Sequence, residues 1–437
     1  MLTKAKLILS NREIVLKILI TFALLLVFKA GTYVPIPLLD TAQIKAIVKG
    51  NELLVVLNAF SGGGLSNFSV LALGISPYIT ASIVVQMLQM VIPKFREWGE
   101  QGEIGKQKLN RVTRYTTIVM SLVQALLILF SFSTNTINML DKSVIEYEKY
   151  AWVFYFYMAI VITAGSAFTM WLADLITRHG IGNGSSLIIS AGIISSIPYM
   201  FRTLFDKYLD SFSARGVSIF SFICVLYVAL ILGVVYFEGA VRKVPVQYAN
   251  RQAGTQGSDI PIKLNSANVI PVIFASTILS IPLTIIGVLK MSPDPASSSY
   301  SNTAFWLNQI FSNQQPIGIA LYVILIIFFS FFYSFLQVDP DKIAENLDKQ
   351  GAFIPGYRPG EDTKMQLSRM LFRVTLIGSV YLVILAMIPI VISLIFNLPS
   401  SVTIGGTSMI IIVGVAIETF RQMETQAETK DYQGFLD

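Results

Sequence analysis

"NAFSGGGLSNFSVLALGISPYITASIVVQML" (Asn58–Leu88) sits inside 41 consecutive residues, Leu53 to Pro93, that carry no charge. A membrane-spanning helix needs about 20 apolar residues. As one helix, the stretch would reach roughly 60 Å, about twice the hydrocarbon core. It must fold back or break, and "SGGG" (Ser61–Gly64) and "GISP" (Gly74–Pro77) are the available break points. Between them, Leu65–Leu73 is predicted to form about two helical turns, and the span proper starts near Ile75. The first part then reads as a short, half-inserted segment on the outer side. Irregular backbone at that depth is tolerated only inside protein or beside water. Its serines and asparagine suit a wet cavity. On the residues alone, a movable plug and a static re-entrant loop both fit.

The surrounding chain is a membrane protein by composition. Of 437 residues, 54% are hydrophobic and 13% charged, against about 25% charged in an ordinary soluble domain. The lone cysteine, Cys224, lies in an apolar run and reads as a small buried residue. Lys4, Lys6, Arg12 and Lys17 precede the first apolar run, and no small-residue cleavage site follows, so that run is read as a permanent span.

Charge-free intervals place ten spans near residues 14–34, 70–92, 115–132, 151–176, 186–201, 217–237, 269–289, 316–338, 371–396 and 406–420. Val374 to Ile417 is uncharged for 44 residues, which allows two spans, and "FNLPSSVTIGG" (Phe396–Gly406) has the turn chemistry to separate them. With the N-terminus in the cytoplasm, 23 of the 32 Lys and Arg fall inside and 9 outside. That asymmetry supports both termini inside. Ten spans divide into five and five, which forces the halves to be inverted relative to each other. The expected fold class is therefore an all-α polytopic membrane protein with ten transmembrane helices in two inverted five-helix halves (1–205 and 206–437) and a short re-entrant plug helix. Two inside segments, 238–268 and 339–370, are long and basic and suggest a cytoplasmic docking surface; solvated connectors are the plainer alternative.

Ionisable residues are nearly absent from the span centres. Lys29, Asp174 and Glu418 lie near span ends, where they reach the interface. An ion-coupled transporter usually carries a carboxylate or histidine at mid-depth. A secondary transporter would explain ten spans and inverted halves, yet it explains the uncharged centre and long basic loops poorly. "GEQGEIGKQ" (Gly99–Gln107) is close to a phosphate loop, but its first glycine is one residue early and Gln107 replaces the required Ser or Thr. "GIGNGSS" (Gly180–Ser186) follows a membrane helix and not a strand, and reads as a tight turn. His179 is the only histidine, so no two-histidine zinc site can form within the chain. No catalytic constellation is apparent, no cofactor is implied, and the expectation is a protein that is not an enzyme.

Five segments resemble the SecY family of protein-conducting channels: "FSGGGLSNFSVLALGISPYITASIVVQML", "RHGIGNGSSLIISAGIISSIP", "PIKLNSANVIPVIFASTI", "NLDKQGAFIPGYRPGEDT" and "GGTSMIIIVGVAIET". They occur in family order over essentially the full length. The resemblance implies an hourglass pore closed by an aliphatic ring at Ile75, Ile79, Ile189, Ile193, Ile273 and Ile411. The spacing of four in the first two pairs puts each pair on one helix face, and β-branched side chains are stiff. Without the family, these positions would read as core packing. The plug implied is Phe60, Ser61, Gly62, Gly63, Gly64, Leu65, Ser66, Asn67 and Phe68. A lateral gate for signal peptides is implied between the second and seventh spans, flanked by Gln86 and Asn268, although Gln86 equally suits a static neighbour. Arg251 and Arg358 fall at the family's partner-docking positions. The partners implied are SecE-like and SecG-like small membrane subunits, the SecA motor ATPase, the ribosome, nascent polypeptides and the lipid bilayer, with localisation to the bacterial cytoplasmic membrane.

Overall fold

The computed structural model describes residues 11–36, 58, 61–139, 151–209, 214–248, 258–288, 301–312, 314–358, 360–396, 398 and 400–433. Two predicted site residues, Phe60 and Arg251, lie outside the described residues.

In chain order the helices are α1 (Arg12–Gly31), α2 (Ser76–Val91), α3 (Pro93–Glu100), α4 (Gly102–Met139), α5 (Ala151–His179), α6 (Gly184–Tyr208) and α7 (Ala214–Gly239). Strands β1 (Val241–Tyr248) and β2 (Ser258–Lys263) follow, then α8 (Ile270–Val288), α9 (Asn302–Phe311), α10 (Pro316–Gln337) and α11 (Pro340–Lys349). Strand β3 (Ala352–Phe353), α12 (Glu361–Phe396) and α13 (Ser400–Gln433) complete the order. Each of the ten predicted spans falls on one of these helices. Among the described residues, seven helices are long and apolar enough to cross a membrane, and the bent pair α2–α3 makes an eighth. The apolar part of α8 is shorter, Ile270–Leu283.

Local chemistry sets the ends. The Asn11 side chain caps α1 by accepting from the Glu13 amide, and Lys29 stands in its last turn, where the helix dipole favours a cation. Asn183 caps α6 through the Ser185 amide, and Asp339 caps α11 ahead of Pro340. Ile14, Thr21 and Phe28 are buried at intervals of seven and form a single stripe along α1. Leu16, Leu19, Phe22 and Leu26 point away from that stripe and are exposed, as befits a face turned to lipid. Ile92 is extended because a proline follows it, and the chain turns by 101° into α3. In "PKFREWGE" the rings of Phe95 and Trp98 are 5.1 Å apart and the Lys94 ammonium lies over Trp98.

Packing divides the chain into two compact units. One comprises Met1–Phe220, Ser280–Asn308 and Leu398–Asp437; the other comprises Ser221–Leu279 and Gln309–Asn397. In the first, α4 packs on α2 and α5, α6 packs on α5 and α13, and α1 lies against α5 and α6. The Arg114–Asp174 ion pair joins α4 to α5. In the second, α10 packs on α12, and the long segments 238–268 and 339–370 carry structure that the sequence reading did not assign. Strands β1 and β2 pair antiparallel, with Val241 opposite Lys263 and Val246 opposite Ser258; Gln247 and Tyr248 pair with Phe353 and Ala352. Val244, Val246 and Ile262 on this sheet bury against Ala344 and Leu347 of α11 and Leu367 and Leu371 of α12.

Gly165 of α5 has no room for a side chain. A Cβ there would come within 1.8 Å of the Val70 carbonyl oxygen. Overpacking of this kind costs about 1–3 kcal/mol. Gly165→Ala should therefore lower the melting temperature of the detergent-solubilised protein, followed by size-exclusion fluorescence. An unchanged melting temperature would show that the Ser61–Ile75 segment does not lie against α5.

Candidate pore and plug site

The segment predicted as a plug helix is not a helix. Residues 61–74 form a succession of turns, with a bridge at Ser69. Gly62, Gly63 and Gly74 take φ of +67°, +88° and +55°, a region that penalises side chains, and Phe68 joins them at +43°. Short polar side chains supply the partners that a helix would have supplied. The Ser61 hydroxyl accepts from the Leu65 amide at 3.1 Å, and the Asn58 side-chain oxygen accepts from the Ser66 amide at 2.8 Å. The Gly63 amide donates to the Asn58 carbonyl at 2.9 Å, and the Ser69 amide donates to the Gly64 carbonyl at 2.9 Å.

This segment is tied to its neighbours by a few polar contacts. The Ile36 amide donates to the Phe68 carbonyl and the Val70 amide to the Val34 carbonyl, a two-bond ladder beyond the end of α1. Asn67 donates through its side chain to the Thr32 carbonyl at 3.3 Å. The Lys29 ammonium donates to the Gly62 carbonyl at 2.7 Å; the Ser195 hydroxyl of α6 lies 3.3 Å from the same oxygen but has its shorter acceptor in the Gly192 carbonyl at 2.7 Å. The same ammonium lies 5.0 Å from the ring centre of Tyr33. A Cβ on Gly62 would stand 3.1 Å from the Cα of Gly192, the residue before Ile193. Leu65 and Phe68 anchor the other side of the segment, buried with Leu129 of α4 and Met158 and Ile162 of α5.

All six predicted ring isoleucines are buried, so none faces lipid: Ile75 (1%), Ile79 (8%), Ile189 (3%), Ile193 (1%), Ile273 (6%) and Ile411 (3%). The Ile79 amide donates to the Ile75 carbonyl, which sets the two side chains one turn apart where the turns end and α2 begins. Ile189 and Ile193 lie on α6, and Ile411 lies on α13, which packs along α6. Near the start of α6, Gly182 stands 3.1 Å, measured from an ideal Cβ, from the Thr419 hydroxyl of α13. Ile273 belongs to the second unit. Its amide donates to the Val269 carbonyl at 3.4 Å, and its own carbonyl accepts from the Ser276 and Thr277 hydroxyls.

The predicted gate residues are polar groups held loosely. Gln86 of α2 donates to the Ser82 hydroxyl at 3.1 Å, and its side-chain oxygen is buried without a partner. Gln124 of α4, which sequence reasoning missed, reaches the Thr80 hydroxyl at 3.4 Å and also leaves a buried oxygen unpartnered. Asn268 takes φ of +54° in the turn before α8, and its carbonyl accepts from the Asn265 side chain. Arg358 is exposed in the turn before α12, where its carbonyl accepts from the Thr363 hydroxyl. Lys29 was also missed as a site residue, because its place near a span end gave it an ordinary interfacial reading. Among the described residues no cluster of His, Cys, Asp or Glu could hold a metal ion.

The family model described as SecY matches residues 69–420. A protein translocase subunit SecY from Staphylococcus carnosus is 41% identical over 441 residues, covering 98% of this chain and 97% of that protein. A solved SecY whose plug domain stabilises the closed state of the translocation channel superposes with a TM-score of 0.64 at 19% identity, covering 93% of this chain and 91% of that chain. Sec61 in a canine ribosome–channel complex superposes with a TM-score of 0.59 at 19% identity, with the same coverage. The motifs, the helices and a full-length relative at this identity agree: the chain belongs to the SecY family.

Proposed function

We propose that this chain forms the pore of a protein-conducting channel, passing unfolded secretory polypeptides across the bacterial cytoplasmic membrane and releasing membrane segments sideways. The observation that carries the reading is the Gly62 carbonyl. The Lys29 ammonium donates to it, and it lies against Gly192, beside the predicted ring residue Ile193. A segment of turns, anchored by Leu65 and Phe68 and not by a helix of its own, can leave without unfolding a helix. The related SecY whose plug domain maintains a membrane seal gives that exchange a function.

The mechanism is an equilibrium between closed and open states. A signal peptide at the gate, and a partner on the cytoplasmic face, bind the open state better and shift the population. The ring of Ile75, Ile79, Ile189, Ile193, Ile273 and Ile411 seals by apolar contact and by excluding water. The gate lies between α2 and α8, with Gln86 and Asn268 beside it. The basic inside segments, including Arg251 and Arg358, dock the ribosome or a SecA-like motor, and arginine forks suit phosphates and carboxylates. Small SecE-like and SecG-like subunits complete the complex. The energy for transport comes from those partners, and the chain itself is not an enzyme.

Two variants test the seal. Ile273→Asn or Ile411→Asn, in reconstituted vesicles, should raise ion leak and allow export of proteins with weakened signal sequences; unchanged leak and unchanged signal dependence would remove these residues from the ring. Lys29→Met removes a charge-assisted hydrogen bond of about 1.5–3 kcal/mol. The open fraction of single channels in a planar bilayer should then rise roughly tenfold, one decade per 1.4 kcal/mol. A closed state as persistent as the parent's would show that Lys29 does not hold the plug.

A further inference from the structure

The second unit contains a buried carboxylate that the channel reading leaves unused. Glu238, in the last turn of α7, is 5% exposed, and Asn265 is 4% exposed. The Asn265 side-chain amide donates to a Glu238 carboxylate oxygen at 2.6 Å and to the Asn268 carbonyl at 3.1 Å. A carboxylate this buried needs hydrogen-bond partners, and Asn265 supplies one. This one is joined to the turn that feeds α8. Asn268 takes its left-handed conformation there, α8 starts at Ile270, and Ile273 follows within one turn. The turn is also pressed from α12: a Cβ on Gly378 would stand 2.6 Å from the Leu264 carbonyl oxygen. One turn along α12, the Tyr381 ring stacks on Phe237 at 4.2 Å, next to Glu238. The Leu264 amide donates to the Ala240 carbonyl and closes the root of the β1–β2 hairpin between the same two segments.

We propose that Glu238 and Asn265 are positioning residues that clamp the start of α8, and so hold Ile273 in the closed channel. This rests on the channel reading above. The contact is charge-assisted, directional and shielded from water, so it fixes one geometry of the turn. Loosening the clamp frees the first turn of α8 to shift while the rest of α8 keeps its own hydrogen bonds. Both partners are needed, because truncating either side chain removes the hydrogen bond that joins the end of α7 to the turn.

The test uses the full complex as purified, reconstituted in vesicles, with Ile273→Asn as a leaking control. Partner-free ion leak should rise several-fold in Asn265→Ala and in Glu238→Ala, and the double variant should match the larger single effect and not the sum. Glu238→Gln, which keeps an acceptor of the same shape, should stay within about twofold of the parent, and export with weakened signal sequences should follow the leak. Melting temperatures are read alongside, and Glu238→Gln and Asn265→Asp stand in if the alanine variants fail to accumulate; Asn265→Asp, by placing two carboxylates together, should leak. Additive single effects, or Glu238→Gln leaking as much as Glu238→Ala, would overturn the clamp. Silent clamp variants beside a leaking Ile273→Asn would overturn the clamp alone. A silent Ile273→Asn as well would remove the channel reading beneath it.

Discussion

Backbone polar groups at membrane depth must find partners inside the protein, and the Ser61–Ile75 segment is where that constraint is hardest to meet. A helix would satisfy it automatically. Three glycines with positive φ and a proline at Pro77 deny the segment that solution. Its amides and carbonyls are instead taken up by Asn58, Ser61 and the strand-like ladder at Val34 and Ile36. The Gly62 carbonyl takes its donor from a different element, Lys29 of α1. A helix is held by bonds it makes with itself and moves as a rod. A turn segment relies on donors from its neighbours and on the burial of residues such as Leu65 and Phe68.

Each unit repeats this arrangement with different residues. In the first, a cation holds a backbone carbonyl beside Gly192 and Ile193. In the second, an amide and a carboxylate hold the turn that leads to Ile273. Apolar burial is non-directional, so isoleucines alone would tolerate many packings of similar energy. A polar contact in a dry site accepts one geometry and loses most of its energy when displaced. In the proposed channel, apolar residues supply the seal, and polar contacts decide which packing is the sealed one.

The helices were legible because hydropathy reports directly on the bilayer. Each of the ten predicted segments met a helix, although among the described residues only seven helices, or eight with the bent α2–α3 pair, are long and apolar enough to cross a membrane. Boundaries also moved, as with α12 starting at Glu361 ahead of the predicted 371 and α13 starting at Ser400 ahead of 406. Those extensions carry charges and continue the helix into water, where hydropathy is silent. The plug segment was located by its glycines, but its conformation was misread: Leu65–Leu73 has helix-length apolar content, and positive φ at Phe68 was not visible in its side chain. The β1–β2 hairpin was missed although Val244 and Val246 alternate with exposed Lys243, Pro245 and Gln247. Six to eight residues of alternation carry little weight beside nearby membrane spans, and the sheet's buried face is completed by α11 and α12, more than 80 residues away. Glu238 was read as the start of a loop, and only tertiary structure places it beside Asn265.

The size of these contacts suits a gate better than a lock. Interhelical hydrogen bonds in membranes average about 0.6 kcal/mol. Charge-assisted ones reach about 1.5–3 kcal/mol. Moving a two-state channel from 1:99 to 99:1 takes about 5.5 kcal/mol of differential binding. One charge-assisted contact in each unit is enough to bias such an equilibrium strongly toward the closed state. It is also small enough to be overcome by a hydrophobic segment entering from the cytoplasm, because each methylene moved out of water contributes about 0.8 kcal/mol. Several leucines supply the whole difference, whereas a short or polar segment falls below it. On the proposed roles of Lys29 and of the Glu238–Asn265 pair, a threshold in substrate hydrophobicity follows from the strength of two polar contacts, with no site that reads the substrate's sequence.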